Sequence, residues 1–331
     1  MKKIKVAVVG VTGLVGRTFL KILEKSGMPI SGLVCFASER NEGKLIKFAG
    51  KNLEIKLLSE KNVKKFPCDY AFFAVSEELA AAFAPVFVET GATVIDNSSA
   101  HRMIDKIPLV VPEVNFGDIS EGDKIIANPN CSTIQCMLPL KALHDVFLLE
   151  KTVYTSFQAV SGSGTPGLED LRGTAQGRAP RFYTHPIFNN CLPHIGGFLP
   201  SGFTKEEEKM IRETQKILHL PNLSVSATCV RVPIENSHSV AVSAGFKNEI
   251  DLAAAVSALK NFENVEVFEG ESYPVPTMAT GKDKVLVGRI RIDLFDKKTL
   301  HFFCVCDNIL KGAALNGAQI LERILEKSGP E

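Results

Sequence analysis

Two short stretches of this chain place reactive residue types where a fold could use them. The first is Asn128-Pro129-Asn130-Cys131-Ser132-Thr133, which follows the strand-like run Lys124–Ala127 and leads into an apolar helical stretch from Ile134 to Val146. Asparagine is a favoured N-cap, because its side-chain oxygen accepts a free N–H of the first turn. Cys131 then falls inside that turn, where the positive end of the helix dipole favours thiolate, the form of cysteine that attacks carbon. A buried, inert cysteine at a helix start is the competing reading, and it suits Cys136 better than Cys131. The second stretch holds Gly10, Gly13 and Gly16, between the β-branched run Ile4–Val9 and the helix-patterned Gly13–Lys25. Such a turn lets backbone N–H groups approach a pyrophosphate and aims a helix start at it. The spacing is GxxGxxG rather than GxGxxG, and glycines serve any tight turn. Their place at a strand–helix junction is what favours a dinucleotide.

The next strand-like run ends Cys35-Phe36-Ala37-Ser38-Glu39-Arg40. An acidic residue there usually holds the ribose 2′-hydroxyl of NAD, whereas arginine accommodates the 2′-phosphate of NADP. Ser38 and Arg40 therefore favour NADP, with Glu39 read as pointing away. A plain solvated loop from Glu39 to Lys44 is the alternative.

Elements that could hold these residues follow from periodicity. Val15, Phe19 and Ile22 line one face of the first helix and Arg17, Lys21 and Glu24 another. Strand-like runs at Ile30–Phe36, Tyr70–Val75, Thr93–Ile95 and Lys124–Ala127, with a helical Glu77–Thr90 between two of them, predict a parallel, doubly wound sheet over residues 1–130. Beyond it lie β-like runs at Thr152–Val160, Leu223–Val232, Val240–Phe246, Lys284–Asp293 and Leu300–Val305, with helices near Lys205–His219 and Ile250–Asn261. That grouping predicts a second, α+β domain over 131–310. The Gly/Pro/Asn-rich Ser161–Phe203 reads as a long surface excursion or subunit contact. A last helix, 311–328, is expected to pack back on the first domain.

Composition narrows the function classes. The 331 residues are 45% hydrophobic and 23% charged, with a formal net charge of +1, so no basic field argues for nucleic acid or an anionic membrane. No signal-peptide or membrane-span pattern follows the first residues, and a cytoplasmic location is expected. Eight cysteines are scattered without a CxxC pair, giving neither a metal pattern nor a disulfide framework.

Taken with further motifs in order, the chain resembles the bacterial aspartate-semialdehyde dehydrogenase family over residues 4 to 316. The motifs are the glycine turn, Ser98-Ser99-Ala100-His101-Arg102-Met103, the Asn-Cys-Ser-Thr run, Gln158-Ala159-Val160-Ser161-Gly162-Ser163-Gly164, Lys205-Glu206-Glu207-Glu208-Lys209-Met210, Arg231-Val232-Pro233, His238, and Asp307-Asn308-Ile309-Leu310-Lys311-Gly312-Ala313-Ala314. The resemblance implies a Rossmann-like NADP domain beside a catalytic and dimerisation domain of the glyceraldehyde-3-phosphate dehydrogenase kind. It implies a homodimer or homotetramer, and the small-molecule substrates aspartyl phosphate, aspartate semialdehyde and phosphate. The activity would serve lysine, methionine, threonine, isoleucine and diaminopimelate biosynthesis.

Residue roles are likewise implied by the resemblance. Cys131 would be the nucleophile, His238 the acid/base on the thiohemiacetal oxygen, and Gln158 an uncharged orienting group. Arg231 would clamp the substrate carboxylate, for which a planar guanidinium fork suits better than an ammonium. Glu206 would take the substrate ammonium and Lys209 the phosphate, shared with Arg102, and Asn130 would line the substrate site. Glu206 and Lys209 share a helix face at i,i+3, and an exposed ion pair is the plain alternative. Gly10, Thr12, Gly13, Leu14, Val15, Gly16, Ser38, Arg40, Ser161, Gly162 and Asn308 would contact the cofactor. Three places depart from the family pattern. His101 stands at an aromatic position, Ser163–Gly167 replaces a small-and-basic run, and Asn236-Ser237-His238 lacks the glycine expected before the histidine. The related N-acetyl-γ-glutamyl-phosphate reductases use the same chemistry, but their substrate nitrogen is uncharged and would leave Glu206 without a partner. A non-catalytic binding protein of this family would be expected to have lost Cys131 or His238.

Overall fold

Residue alternation in the first strand explains the layering of the first domain. β1 (Ile4–Val9) sends Val6 and Val8 into one buried cluster and Ala7 and Val9 into another on the opposite face. A strand buried on both faces reads as a continuous apolar run, and parallel sheets are built of such strands. These relations come from a computed structural model that describes residues 3–327; Met1, Lys2 and residues 328–331, including the last residue of the expected helix 311–328, lie outside the described residues.

The chain divides into two units, Met1–Pro129 with Ala313–Glu331, and Asn130–Gly312. The first contains β1, α1 (Leu14–Lys25), β2 (Ile30–Ala37), β3 (Leu45–Phe48), β4 (Lys51–Leu57), α2 (Glu60–Lys65), β5 (Tyr70–Phe73), α3 (Glu77–Glu89), β6 (Thr93–Asp96), α4 (Pro112–Asn115) and β7 (Ile125–Ala127). The strand order is β3-β4-β2-β1-β5-β6-β7, parallel throughout except for the β3–β4 hairpin. The order reverses at β1, which lies between β2 and β5. Open α/β sheets take ligands at that switch, beyond the C-terminal strand ends.

The second unit contains α5 (Cys131–Phe147), β8 (Leu149–Gln158), α6 (Gly164–Ala175), α7 (Lys205–Ile217), β9 (Ser224–Arg231), β10 (His238–Phe246), α8 (Leu252–Asn261), β11 (Val265–Val267), α9 (Pro276–Ala279), β12 (Val285–Ile292) and β13 (Thr299–Cys306). Its sheet runs β11-β12-β13-β10-β8-β9 and mixes parallel outer pairs with antiparallel inner ones. α5 is buried on nearly every side, which is why its sequence is apolar all round. The chain then passes through a π-helical turn, Leu310–Ala314, into α10 (Leu315–Lys327), whose Ala318, Ile320, Leu321 and Leu325 join the first unit's core with Phe19 and Phe72. No helix among the described residues is long and apolar enough to cross a membrane.

The structure refines the expected organisation in three places. The unit division falls after Pro129 rather than after residue 130, and Lys311 and Gly312 go with the second unit rather than with the last helix. Ser161–Phe203 is not all excursion, because α6 occupies Gly164–Ala175 within it. The hairpin of β3 and β4 fills a stretch in which the periodicity marks no strands.

Candidate active site

In the second unit, strand register gathers most of the chemistry at one end of the sheet. Gln158 and Arg231 are register partners at the last positions of the parallel strands β8 and β9. His238 opens β10, the antiparallel neighbour of β8, and pairs in register with Cys306 at the end of β13. Gln158, Arg231 and His238 are all buried.

Cys131 is the first residue of α5, and Asn130 caps that helix as expected. Asn130 Oδ1 accepts from the backbone N–H of Ser132 at 2.8 Å and of Thr133 at 3.3 Å. Its amide nitrogen Nδ2 donates to Glu206 Oε1 at 2.8 Å, and its own backbone N–H donates to Glu213 Oε2 at 2.6 Å. Gln158 Nε2 also donates to Glu206 Oε1, at 3.3 Å, so one carboxylate oxygen joins two candidate site residues. Glu206 Oε2 faces Lys209 Nζ at 3.9 Å. Glu206 is only 8% exposed, which rules out the exposed ion pair as its whole role. Lys209 keeps 35% of its side chain exposed.

The cysteines sort by burial. Cys131 is half-buried and Cys191 exposed, while the other six are buried. Burial pushes the Cys35 and Cys68 thiols up to about 12, and raises those of Cys136, Cys229 and Cys306 as well. These five stay protonated near neutral pH and are poor nucleophiles. Of the two that are not buried, only Cys131 starts a helix.

A single residue, Ala159, links the histidine to the arginine. The backbone N–H of Ala159 donates to His238 Nδ1 at 3.0 Å, and Arg231 Nη1 donates to the Ala159 carbonyl at 2.6 Å. A backbone N–H can only donate, so Nδ1 accepts and the proton of the neutral ring sits on Nε2. Nε2 itself makes no hydrogen bond among the described residues, and neither does Arg231 Nε. Burial, and then the nearby Arg231 charge, hold His238 well below its ordinary 6.5, so the ring is neutral at pH 7. Both groups crowd Gly162, where a Cβ would lie 2.9 Å from Arg231 Nη1 and 3.1 Å from His238 Nε2.

Ser161 and Asn308, expected at the cofactor, are tied to the turn before His238. Asn308 Nδ2 donates to Ser161 Oγ at 3.0 Å, Asn308 Oδ1 accepts from the Ser237 N–H at 2.8 Å, and Ser161 Oγ donates to Asn236 Oδ1 at 3.1 Å. That turn explains the missing glycine. Ser237 has φ 74, a left-handed conformation that glycine adopts freely, and its hydroxyl lies 2.8 Å from Thr280 Oγ1.

The remaining candidates lie in the first unit. Gly10 follows β1 with φ 84, and a Cβ there would meet the Ala74 carbonyl oxygen, just past β5, at 2.2 Å. A Cβ on Gly16 would lie 2.3 Å from the Gly10 oxygen. Gly13 caps α1 without a side-chain hydrogen bond, so the first-turn N–H groups of Leu14 and Val15 belong to the set a phosphate would meet. Thr12 Oγ1 accepts from Asn41 Nδ2 at 3.5 Å. Ser38 and Arg40 are exposed at the end of β2, on a short turn over Glu39–Asn41. These residues fit a dinucleotide at the sheet's switch. Arg102 is buried in the loop after β6, with Nη2 donating to the Asn97 carbonyl at 2.8 Å. In the same loop His101, the departure from an aromatic residue, sits with Nδ1 2.6 Å from the buried Asp96 Oδ2.

Sequence reasoning missed Glu213, the Ala159 backbone and the strained Ser237. Glu213 had a signal: it lies seven residues after Glu206, two turns on, along the face of α7 that also buries Met210 and Ile217.

Comparison with known proteins gives the same family throughout. The family models described as the NAD binding domain and the dimerisation domain of semialdehyde dehydrogenase match residues 5–122 and 140–311. An aspartate-semialdehyde dehydrogenase of Aquifex aeolicus is 45% identical, covering 98% of this chain and 98% of its own. The crystal structure of aspartate semialdehyde dehydrogenase II of Vibrio cholerae, complexed with ASA, is 39% identical with a TM-score of 0.94, covering 98% of this chain and 99% of its own. The aspartate semialdehyde dehydrogenase of Candida albicans with NADP is 25% identical with a TM-score of 0.80, covering 99% of each chain.

Proposed function

The chain belongs to the aspartate-semialdehyde dehydrogenase family, and from that membership we propose that it reduces L-4-aspartyl phosphate to L-aspartate 4-semialdehyde with NADPH, through a thioester on Cys131. The observation that carries the reading is a half-buried cysteine at the first position of α5 whose capping residue is hydrogen-bonded to the buried Glu206.

Cys131 Sγ attacks the acyl carbon, the bond to the phosphate oxygen breaks, and phosphate leaves. A nicotinamide bound there would supply hydride to the thioester carbon, after which the C–S bond breaks, the aldehyde leaves and the Cys131 thiolate is restored. The thiohemiacetal oxygen that forms needs a hydrogen-bond donor, and His238 presents its proton at Nε2. Serving as a base would require the ring to give up the Ala159 N–H, so with this tautomer it enters as a donor. Arg231 grips the α-carboxylate, Glu206 Oε2 takes the ammonium, and Gln158 holds Glu206 from below. Lys209 and Arg102 take the phosphate. A carboxylate, an ammonium and a phosphate together match aspartyl phosphate, and an acylated nitrogen would waste Glu206.

Gly10, Thr12, Gly13, Leu14, Val15 and Gly16 would hold the dinucleotide, and Ser38 with Arg40 the 2′-phosphate. Ser161, Gly162 and Asn308 would contact the cofactor as well, and Ser161 and Asn308 also tie down the turn before His238. The match of a dimerisation-domain model to residues 140–311 supports a homodimer or homotetramer. The test is a spectrophotometric assay with aspartate semialdehyde and phosphate, supplied with NADP⁺ or NAD⁺. Reduction of NADP⁺ dependent on both substrates is expected, and its absence sinks the reading. Arg40→Ala should weaken NADP⁺ at least about tenfold while changing NAD⁺ little; equal losses would remove Arg40 from the cofactor site.

A further inference from the structure

We infer that Glu213 is a positioning residue for the nucleophile: by accepting the Asn130 N–H it fixes the peptide that carries Cys131 relative to α7, the helix bearing the substrate contacts. The inference rests on the reading of Cys131 as nucleophile. Glu213 is 1% exposed, and its Oε2 lies 2.6 Å from the Asn130 nitrogen. Burying a carboxylate costs several kcal/mol unless hydrogen bonds and nearby positive charge offset it. The start of α5 contributes to that offset, through the Asn130 N–H and a dipole that favours an anion at that spot.

Glu206 and Glu213 are seven residues apart on α7, about 10.5 Å along the axis and within about 20° of the same face. Both reach one residue, Glu206 its side-chain amide and Glu213 its backbone N–H. Two attachments fix orientation where one would leave a hinge. The Asn130 carbonyl accepts from Ile134 N at 2.9 Å inside α5, so the cap is tied on both sides. Glu206 and Lys209 therefore move with the frame that aims the sulfur. A carboxylate beside the helix start has a second effect, because its charge opposes ionisation of Cys131.

Glu213→Gln keeps an oxygen acceptor without the charge, and Glu213→Met keeps the bulk without an acceptor. With whole enzyme, Gln should retain kcat within about threefold, while Met should lose at least about tenfold in kcat with the aspartate semialdehyde KM within about twofold. A general structural defect would not give that split or its rescue by Gln. The pH profile of Cys131 alkylation by iodoacetamide should move to lower pH in Glu213→Gln, which can be read even if Glu213→Met does not fold. Wild-type turnover in Glu213→Met, a loss confined to KM, or an unmoved alkylation profile in Glu213→Gln would overturn the inference. Cys131→Ala run alongside separates the two ideas. Turnover there sinks the nucleophile itself, whereas an inactive Cys131→Ala beside a fully active Glu213→Met sinks only the role of Glu213.

Discussion

The starts of α1 and α5 do related work by opposite means. At α1 the site is shaped by atoms that are missing, since Gly10 and Gly16 have no room for a Cβ and Gly13 caps the helix with backbone alone. At α5 it is shaped by atoms that are committed, because every polar group of Asn130 is already bonded, partly to buried carboxylates. The contrast follows from the ligands. A pyrophosphate brings its own charge and needs bare N–H groups brought close. A thiol brings none, and must be aimed by charged side chains taken out of water. The first arrangement tolerates no added carbon; the second tolerates no lost acceptor.

The hardest way to break this contrast is at the sulfur. Cys131→Ala should abolish both reductive dephosphorylation and phosphorolytic oxidation in the coupled NADP assay, while nucleotide binding by fluorescence titration stays intact. Next in size is Gly10→Ala. A methyl forced against the Ala74 carbonyl at φ 84 should cost about 3 kcal/mol in urea unfolding and weaken the nucleotide. Unchanged unfolding there would mean that the turn is looser than its contacts indicate.

Acid offers a milder probe of the second region. His238 is held below 6.5 in the folded protein, whereas in the unfolded chain it titrates normally. Its contribution is thus complete above pH 6.5 and is lost as pH falls from there towards the folded value, by at most about 1.4 kcal/mol per unit. His238→Asn, which keeps an acceptor for the Ala159 N–H, should flatten the acid slope of unfolding stability between pH 6.5 and 5. Equal slopes would mean that the ring is charged when folded. The smallest effect is expected from Ser237→Gly. Relief of left-handed strain is offset by the lost Thr280 contact and a freer unfolded chain, leaving stability within about 1 kcal/mol. A large loss of turnover there would instead give the Ser237 hydroxyl a part in holding His238.

The same contrast explains what the sequence made legible. A glycine turn between a β-branched run and an amphipathic segment is a local pattern, and so is Asn130 before an apolar helix; both lie where periodicity puts them. Glu206 and Lys209 were placed on one face by spacing alone, but the burial of Glu206 depends on Asn130, 76 residues away in sequence. The tie of Ser161 and Asn308 to the turn before His238 has no local signal, because their partners Asn236 and Ser237 lie 75 and 71 residues away. α6 hid behind Gly164, Pro166, Gly167 and Gly173, residues that local propensity reads as loop. Gly167 is required there by packing, since a Cβ would lie 2.4 Å from the Val160 oxygen. The β3–β4 turn uses Ala49 and Gly50, both with positive φ, and an alanine in the first place is not the usual signal of such a hairpin.

The peptide group of Ala159 has a practical consequence. Its N–H orients the imidazole and its oxygen anchors the guanidinium, yet its side chain is a methyl group buried without polar contact. An alanine scan would skip the position altogether, and most replacements would be scored as crowding. Proline removes only the donor and restricts the chain as well. Replacing the amide by an ester, through backbone chemistry rather than codon changes, is the substitution that reaches this junction.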